Sequence, residues 1–329
     1  MELILTDHEG KEIRNLQEAS VDLELGEGND FQLTISRGDW KGDIVTGCRV
    51  FRPGTEYGGL IRRRGTDTKE DIVTPGGYTW RGMLGKKVIE PPTGQDYRTV
   101  SGELHEIMKA LVEPEFPGLF LVPEISTGVT VSNFQFDRYC TLLDGIQKML
   151  RSVGYRIDIV YMQQERGFPG FVQVSAKQIV DYSGQVELST DNRLNFTAKV
   201  QEDGVNHLIC LGKGELKDRA VIHLYAQPDG SIGSTQYYTG VDEVTETYEN
   251  SGAEIEDLEK GGREKLQDLM NQQSFTMDIA ALGIEVEIGD IIGGRDYLTG
   301  IYVQKPVAGK IWTYDNGVES MEYKIEGED

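Results

Sequence analysis

The sequence predicts a mainly β protein of the α+β class, with two small β-barrel domains and an α+β domain between them. Short alternating runs separated by glycine-rich turns fill both ends of the chain, and the clearest helical spacing lies in the middle third. A third observation is an echo between the two β-rich regions. Gly42-Asp43-Ile44 and Gly289-Asp290-Ile291 are each followed by a glycine and a β-prone run, Gly59-Leu60-Ile61 in one case and Gly300-Ile301-Tyr302-Val303 in the other. Two such units per chain favour assembly over catalysis, because a ring of subunits can then imitate a ring with twice as many. The expected boundaries are 1–94 for the first barrel, 95–195 for the α+β domain, and 196–329 for the second barrel with an inserted helix at about 253–272.

Residues 21–25 and 31–35 alternate at the two-residue period of a half-buried sheet, and Gly26 to Asp30 supply the turn of a hairpin. Pro91-Pro92 break the pattern and mark a boundary. Leu104, Ile107, Met108, Leu111 and Val112 recur at helical spacing, with Ser101 as candidate N-cap and Pro114 as the stop. A stronger stripe follows, from Tyr139 through Leu142, Leu143, Ile146, Met149 and Leu150 to Val153, with Gly154 placed for the C-cap. Residues 155–161 and 171–174 then alternate as paired strands. Strands are expected again over 194–200, 207–211 and 221–225, the last before a turn at Pro228-Asp229-Gly230. The helix at 253–272 shows Ile255, Leu258, Leu266, Leu269 and Met270 on one side, with Gly261-Gly262 as a kink. A hairpin turning at Asp315-Asn316-Gly317 closes the chain.

With 55 acidic against 33 basic residues in 329, the formal net charge is −22. That disfavours nucleic-acid binding through a basic face and adhesion to an anionic membrane, and suits a surface to which DNA must not stick. Arg62-Arg63-Arg64 reads as a solvated strand face. Cys48, Cys140 and Cys210 are widely spaced and odd in number, so neither a disulfide framework nor a zinc site is expected and folding in a reducing cytoplasm is. No export signal or membrane anchor is legible, which leaves the acceptor pattern Asn195-Phe196-Thr197 without meaning.

The residues that carry chemistry are sparse. Of four histidines, His8, His105, His207 and His223, none sits in a zinc-protease pattern, since Ile107-Met108-Lys109 follow His105-Glu106 without a second histidine. His207 and His223 can face each other on neighbouring strands, but with no acid in view they read as ordinary sheet residues. Gly212-Lys213-Gly214-Glu215 lacks the spacing of a phosphate loop, and no serine elbow or calcium loop is present. Trp40, Trp80, Trp312, Tyr237 and Tyr238 could offer platforms for a sugar, although Trp80 and Trp312 fall in strand patterns where core packing is the commoner role. No catalytic, cofactor-binding or metal-binding residue is therefore expected, and no cofactor.

The block from Asn206-His207-Leu208-Ile209-Cys210-Leu211-Gly212-Lys213-Gly214 to Arg219-Ala220-Val221-Ile222-His223-Leu224-Tyr225-Ala226, continuing to Tyr237-Tyr238-Thr239-Gly240-Val241-Asp242-Glu243-Val244-Thr245, resembles a family of siphophage and prophage tail proteins. The segment from Tyr57-Gly58-Gly59 to Thr79-Trp80-Arg81-Gly82 is similar to that family's early strands, and the helix around Leu142 to Val153 fits as well. The resemblance implies a tail hub, or baseplate hub. Such a hub is a homotrimer that caps the tail tube, joins it to the tip or fibre proteins, and presents six barrels around a channel for DNA and a tape-measure protein. It implies partners in the distal tail protein or tube, a place in the virion tail, and no enzyme activity, since the chain stops at Asp329 without a hydrolase region. The alternatives are a carbohydrate-binding module for the bacterial surface and a cell-wall hydrolase.

Overall fold

The computed structural model describes residues 2–163, 168–183, 196–270, 272–277, 284–296, 298–315 and 317–326. The chain opens with seven strands: β1 (Ile4–Thr6), β2 (Glu12–Asn15), β3 (Ser20–Leu25), β4 (Asp30–Ser36), β5 (Arg49–Phe51), β6 (Gly58–Asp67) and β7 (Ile72–Thr79). The β3–β4 hairpin forms as the alternation requires: Val21, Leu23, Leu25, Phe31, Leu33 and Ile35 are buried, and the residues between them turn outward. Asn29 makes the turn in the left-handed region at φ +50°, its Oδ1 accepting the Gly26 N–H at 2.9 Å. A short helix α1 (Trp80–Leu84) follows, capped by the Thr79 hydroxyl on the Gly82 N–H at 3.1 Å. Trp80 is thus fully buried as expected, but on a helix and not a strand.

Next come β8 (Thr99–Glu103), α2 (Leu104–Val112), β9 (Phe120–Leu121), β10 (Thr130–Gln135), α3 (Leu142–Arg151), β11 (Tyr155–Met162) and β12 (Phe171–Gln178). The cap of α2 is Glu103, not Ser101: its carboxylate accepts from the N–H groups of His105 at 2.8 Å and Glu106 at 3.2 Å, where negative charge meets the positive end of the helix. Ser101 instead lies on β8 and takes the Asn133 N–H. Leu142, Leu143, Ile146, Met149 and Leu150 form the buried stripe of α3 behind the Thr141 cap. Tyr139 is not on it: at φ +58° it precedes the helix and is exposed. Gly154, at φ +75°, turns the chain into β11, which pairs antiparallel with β12 along its full length.

The remaining elements are β13 (Phe196–Gln201), β14 (His207–Leu211), β15 (Val221–Ala226), β16 (Ile232–Gly233), β17 (Thr245–Glu249), α4 (Ile255–Leu269), β18 (Gln272–Met277), β19 (Ile291–Arg295), β20 (Tyr302–Asp315) and β21 (Val318–Ile325). Leu194, Asn195 and Asn316 lie outside the described residues. The β20–β21 hairpin turns where expected, with Asp315 opposite Val318. The fold is mainly β. Its largest sheet has ten strands in the order β19-β20-β3-β4-β7-β6-β5-β1-β2, with β21 also on β20, and among the described residues no pairing closes that path into a barrel.

The chain divides into two compact units: Met1–Leu194 with Asp278–Gly293 and Gln304–Glu326, and Asn195–Met277 with Gly294–Val303 and Gly327–Asp329. Residues 196–329 are therefore not one domain, because β20 pairs with β3 from Lys310↔Leu25 to Tyr314↔Val21. This corrects the expected placing of the two echo units in separate barrels, as the strands following both belong to the ten-stranded sheet. In the first unit one apolar cluster lies along that sheet, around Leu5, Leu23, Leu33, Ile61 and Trp312. Another joins α1, α2 and α3 to β11 and β12, and there Phe51, Tyr161 and Trp80 stack with centroids 3.7 and 5.4 Å apart. The second unit packs Leu258 and Leu266 of α4 against Leu208 and Cys210 of β14 and Leu224 of β15. No helix among the described residues is long and apolar enough to cross a membrane.

Candidate functional site

Polar groups concentrate at three places. The first is in the second unit, where β14 and β15 run antiparallel and bring the two histidines together diagonally. His207 Nε2 and His223 Nδ1 are 2.8 Å apart, and the His207 ring stacks on Tyr225 at 4.5 Å. Contrary to the sequence reading, an acid is present: Glu243 Oε1 lies 2.7 Å from His207 Nδ1, with the Thr245 hydroxyl 3.2 Å from the same nitrogen. Glu243 stands just before β17, which pairs parallel to β14 with Thr245 opposite His207. The carboxylate at Nδ1 and the second imidazole at Nε2 join the three side chains into one hydrogen-bonded row, in which a neutral His207 with its proton on Nδ1 accepts from His223 Nδ1–H.

The hydrogen bond from His207 holds the Glu243 carboxyl below its ordinary range. A depressed acid contributes stability that is complete above its unfolded value of about 4.3 and is lost as pH falls through the folded value. Glu243→Gln is accordingly expected to flatten the acid limb of stability below about pH 4.5. Denaturation followed by circular dichroism between pH 3 and pH 7 checks this, and an unchanged acid limb counts against the contact.

The second place is a buried network in the first unit. Asp290, 1% exposed, accepts from Arg156 Nε at 2.9 Å, from the Val180 N–H at 3.0 Å and from the Glu287 N–H at 2.9 Å. Arg156 also reaches Asp158 at 3.3 Å, which Lys177 meets at 2.8 Å. The echo now has a structural meaning. Gly42 and Gly289 both take positive φ, +74° and +99°, and each following aspartate receives an arginine. Arg14 grips Asp43 through two hydrogen bonds, of 2.6 and 3.1 Å, and holds that carboxyl below its ordinary range. The aspartates thus stand just after the glycines that turn the chain, and each is anchored by an arginine.

The third is a cleft of about 630 Å³ in the same unit, with Arg52, Lys177, Lys310, Asp158, Glu287 and Glu319 in its walls. Its cations are all paired: Arg52 with Glu319, Lys310 with Glu287 at 2.7 Å, Lys177 with Asp158, and Arg156 with Asp290 and Asp158. Such pairing fastens the walls and leaves no cation there free for a ligand. Behind the wall Trp312 is buried, its indole N–H donating to Glu319 at 2.9 Å, and Tyr57 stacks on it at 4.9 Å.

No family model and no curated protein matches the sequence. Among solved structures the chain is similar to the 43 kDa tail protein of prophage MuSo2 from Shewanella oneidensis. Identity is 14% and the TM-score 0.52, over 99% of this chain and 98% of that one. The fold is shared with a prophage tail protein. The tail protein from Neisseria meningitidis MC58 is 15% identical at TM-score 0.48, covering 98% of this chain and 95% of its own. Prophage tail protein gp18 from Listeria monocytogenes EGD-e is 13% identical at TM-score 0.48, covering 99% and 94%.

The other sequence candidates are dispersed. His8 is exposed, and His105 is buried with Nε2 accepting the Ala176 N–H at 3.0 Å, a structural role. Lys213 pairs with Glu254, and the Gly212–Gly214 turn packs on Ala253 and Asp218. Tyr237 and Tyr238 meet edge to face at 5.1 Å. Among the described residues no three His, Cys, Asp or Glu side chains converge to hold a metal ion, and Cys48, Cys140 and Cys210 are free.

Proposed function

We propose that the chain is a structural component of a phage or prophage tail, at the hub that caps the tube and connects it to the tip or baseplate. The observation that supports this reading is the end-to-end likeness to the MuSo2 tail protein, covering 99% of one chain and 98% of the other. It is joined by the sequence resemblance in the block that begins at Asn206, which supplies β14, β15 and β16 of one sheet. In this reading three copies form a ring that meets the distal tail protein or tube on one side and tip or fibre proteins on the other, and no residue is catalytic. The pair of barrels per subunit belongs to the same proposal, with the ten-stranded sheet as the first of them. DNA and a tape-measure protein pass through the lumen, and the net charge of −22 suits that passage by repelling phosphate at short range.

The test is a reconstruction of tails from particles that carry this chain, with a label on its C-terminus. Threefold density at one end of the tube, with the label on it, is the expected result. Tails that lack the chain, or a label distributed along the shaft, would refute the hub. Clearing of peptidoglycan by the purified chain, abolished by changing one carboxylate, would favour the hydrolase instead.

A further inference from the structure

A second cleft, of about 590 Å³, lies at the outer end of the β6–β7 hairpin and is lined by Arg37, Trp40, Thr46, Arg64, Gly65, Thr66 and Val73. The register sets Thr66 opposite Val73 and Val73 opposite Ile35, so one face of the sheet extends from the apolar core into this cleft. The segment between β4 and β5 supplies Trp40, which packs its inner side against the core and is half-buried. In a chain with an excess of 22 negative charges, the only ionisable groups in the lining are two arginines. Arg37 is held by the Thr66 hydroxyl at 3.0 Å and by Asp71 at 3.6 Å, while Arg64 is exposed and has no ion pair among the described residues.

These features define a ligand. An indole with one side in the core and the other in an open cleft is a platform for the apolar face of a sugar ring. Thr46 adds a hydroxyl beside it, Thr66 being engaged by Arg37 and the Ile72 carbonyl, and an unpaired guanidinium is a fork for an oxyanion. The volume falls within the roughly 300–1,000 Å³ of small-molecule sites. In the larger cleft every cation is already paired. We propose that this cleft binds an anionic saccharide, the ring lying on Trp40 and the carboxylate or phosphate paired with Arg64 beside the positioned Arg37. The site goes beyond the tail reading and does not depend on it.

Tryptophan emission reads the site directly, since Trp80 and Trp312 are both 0% exposed and Trp40 alone of the three indoles is open to a ligand. The full chain is titrated with trigalacturonate, with glucose 6-phosphate and with neutral maltotriose, and calorimetry repeats each titration. A saturable response to at least one anionic probe is expected, at least about tenfold tighter than to maltotriose, because one charge-assisted bond is worth that ratio. The probe that saturates first tells carboxylate from phosphate. Arg64→Ala is expected to weaken binding about tenfold or more with the denaturation midpoint unchanged. Silence of both anionic probes by emission and calorimetry, equal binding of maltotriose, or full binding by Arg64→Ala would overturn the proposal.

Discussion

Arg156→Ala is expected to destabilise the first unit by about 3 kcal/mol, the lower end of what breaking a buried ion pair costs. Arg156 and Asp290 are both almost fully buried, at 8% and 1% exposure, so removing the guanidinium leaves a buried carboxylate without its ion-pair partner. The two backbone N–H groups of Val180 and Glu287 still point at that carboxylate, and they keep the loss from the top of the range. Asp158 loses less, because Lys177 remains 2.8 Å away. Asp290→Asn removes the charge, but Val180 and Glu287 donate to different carboxylate oxygens and an asparagine offers only one acceptor, so Arg156→Ala combined with Asp290→Asn should recover at most part of the loss. Urea denaturation followed by circular dichroism measures all three proteins. If Arg156→Ala costs under about 1 kcal/mol, as a surface pair would, the burial argument fails.

The sequence holds part of this site in plain view and hides the rest. Asp290 is the one acid in the run Ile288-Gly289-Asp290-Ile291-Ile292, and an isolated charge among apolar residues is a sign of a buried, paired group. Its partner Arg156 lies 134 positions earlier in the chain, and no local pattern names it. The same limit explains the domain boundary. The alternation of residues in β20 announces a strand, but any sheet would satisfy it, and only the tertiary pairing with β3 assigns it to the first unit. Glu243 was missed at His207 for a related reason: the parallel pairing of β14 with β17 brings the residues before β17 to that end of β14, and parallel partners are not neighbours in the chain. The β3–β4 and β20–β21 hairpins were legible because their partners are adjacent, so alternation and turn chemistry suffice.

Gly262→Ala is expected to cost about 1–3 kcal/mol in the second unit, against the gain of up to about 1 kcal/mol that an exposed glycine-to-alanine change gives a helix. The sequence reading makes Gly261-Gly262 a kink, whereas α4 runs unbroken from Ile255 to Leu269. The glycines serve approach. A Cβ on Gly262 would collide with the Cys210 sulfur and stand 2.9 Å from Leu224 Cδ1, and one on Gly261 would stand 2.6 Å from the Tyr248 hydroxyl. The helix therefore lies against β14, β15 and β17 closer than side chains would permit, with Leu258 and Leu266 buried on either side of the contact. Cys210 is buried, which pushes its thiol up and keeps it protonated, so the sulfur acts as a small apolar group here. Removing it should make room. In Gly262→Ala combined with Cys210→Ala, the two losses are expected to sum to more than the loss in the double variant, with a coupling of about 0.5–3 kcal/mol. The helix carries Leu258 and Leu266 to the sheet only while that approach holds, so the same cycle reports whether α4 seats on the face opposite His207 and His223. Strict additivity in chemical denaturation would place the helix farther from β14 than this packing requires.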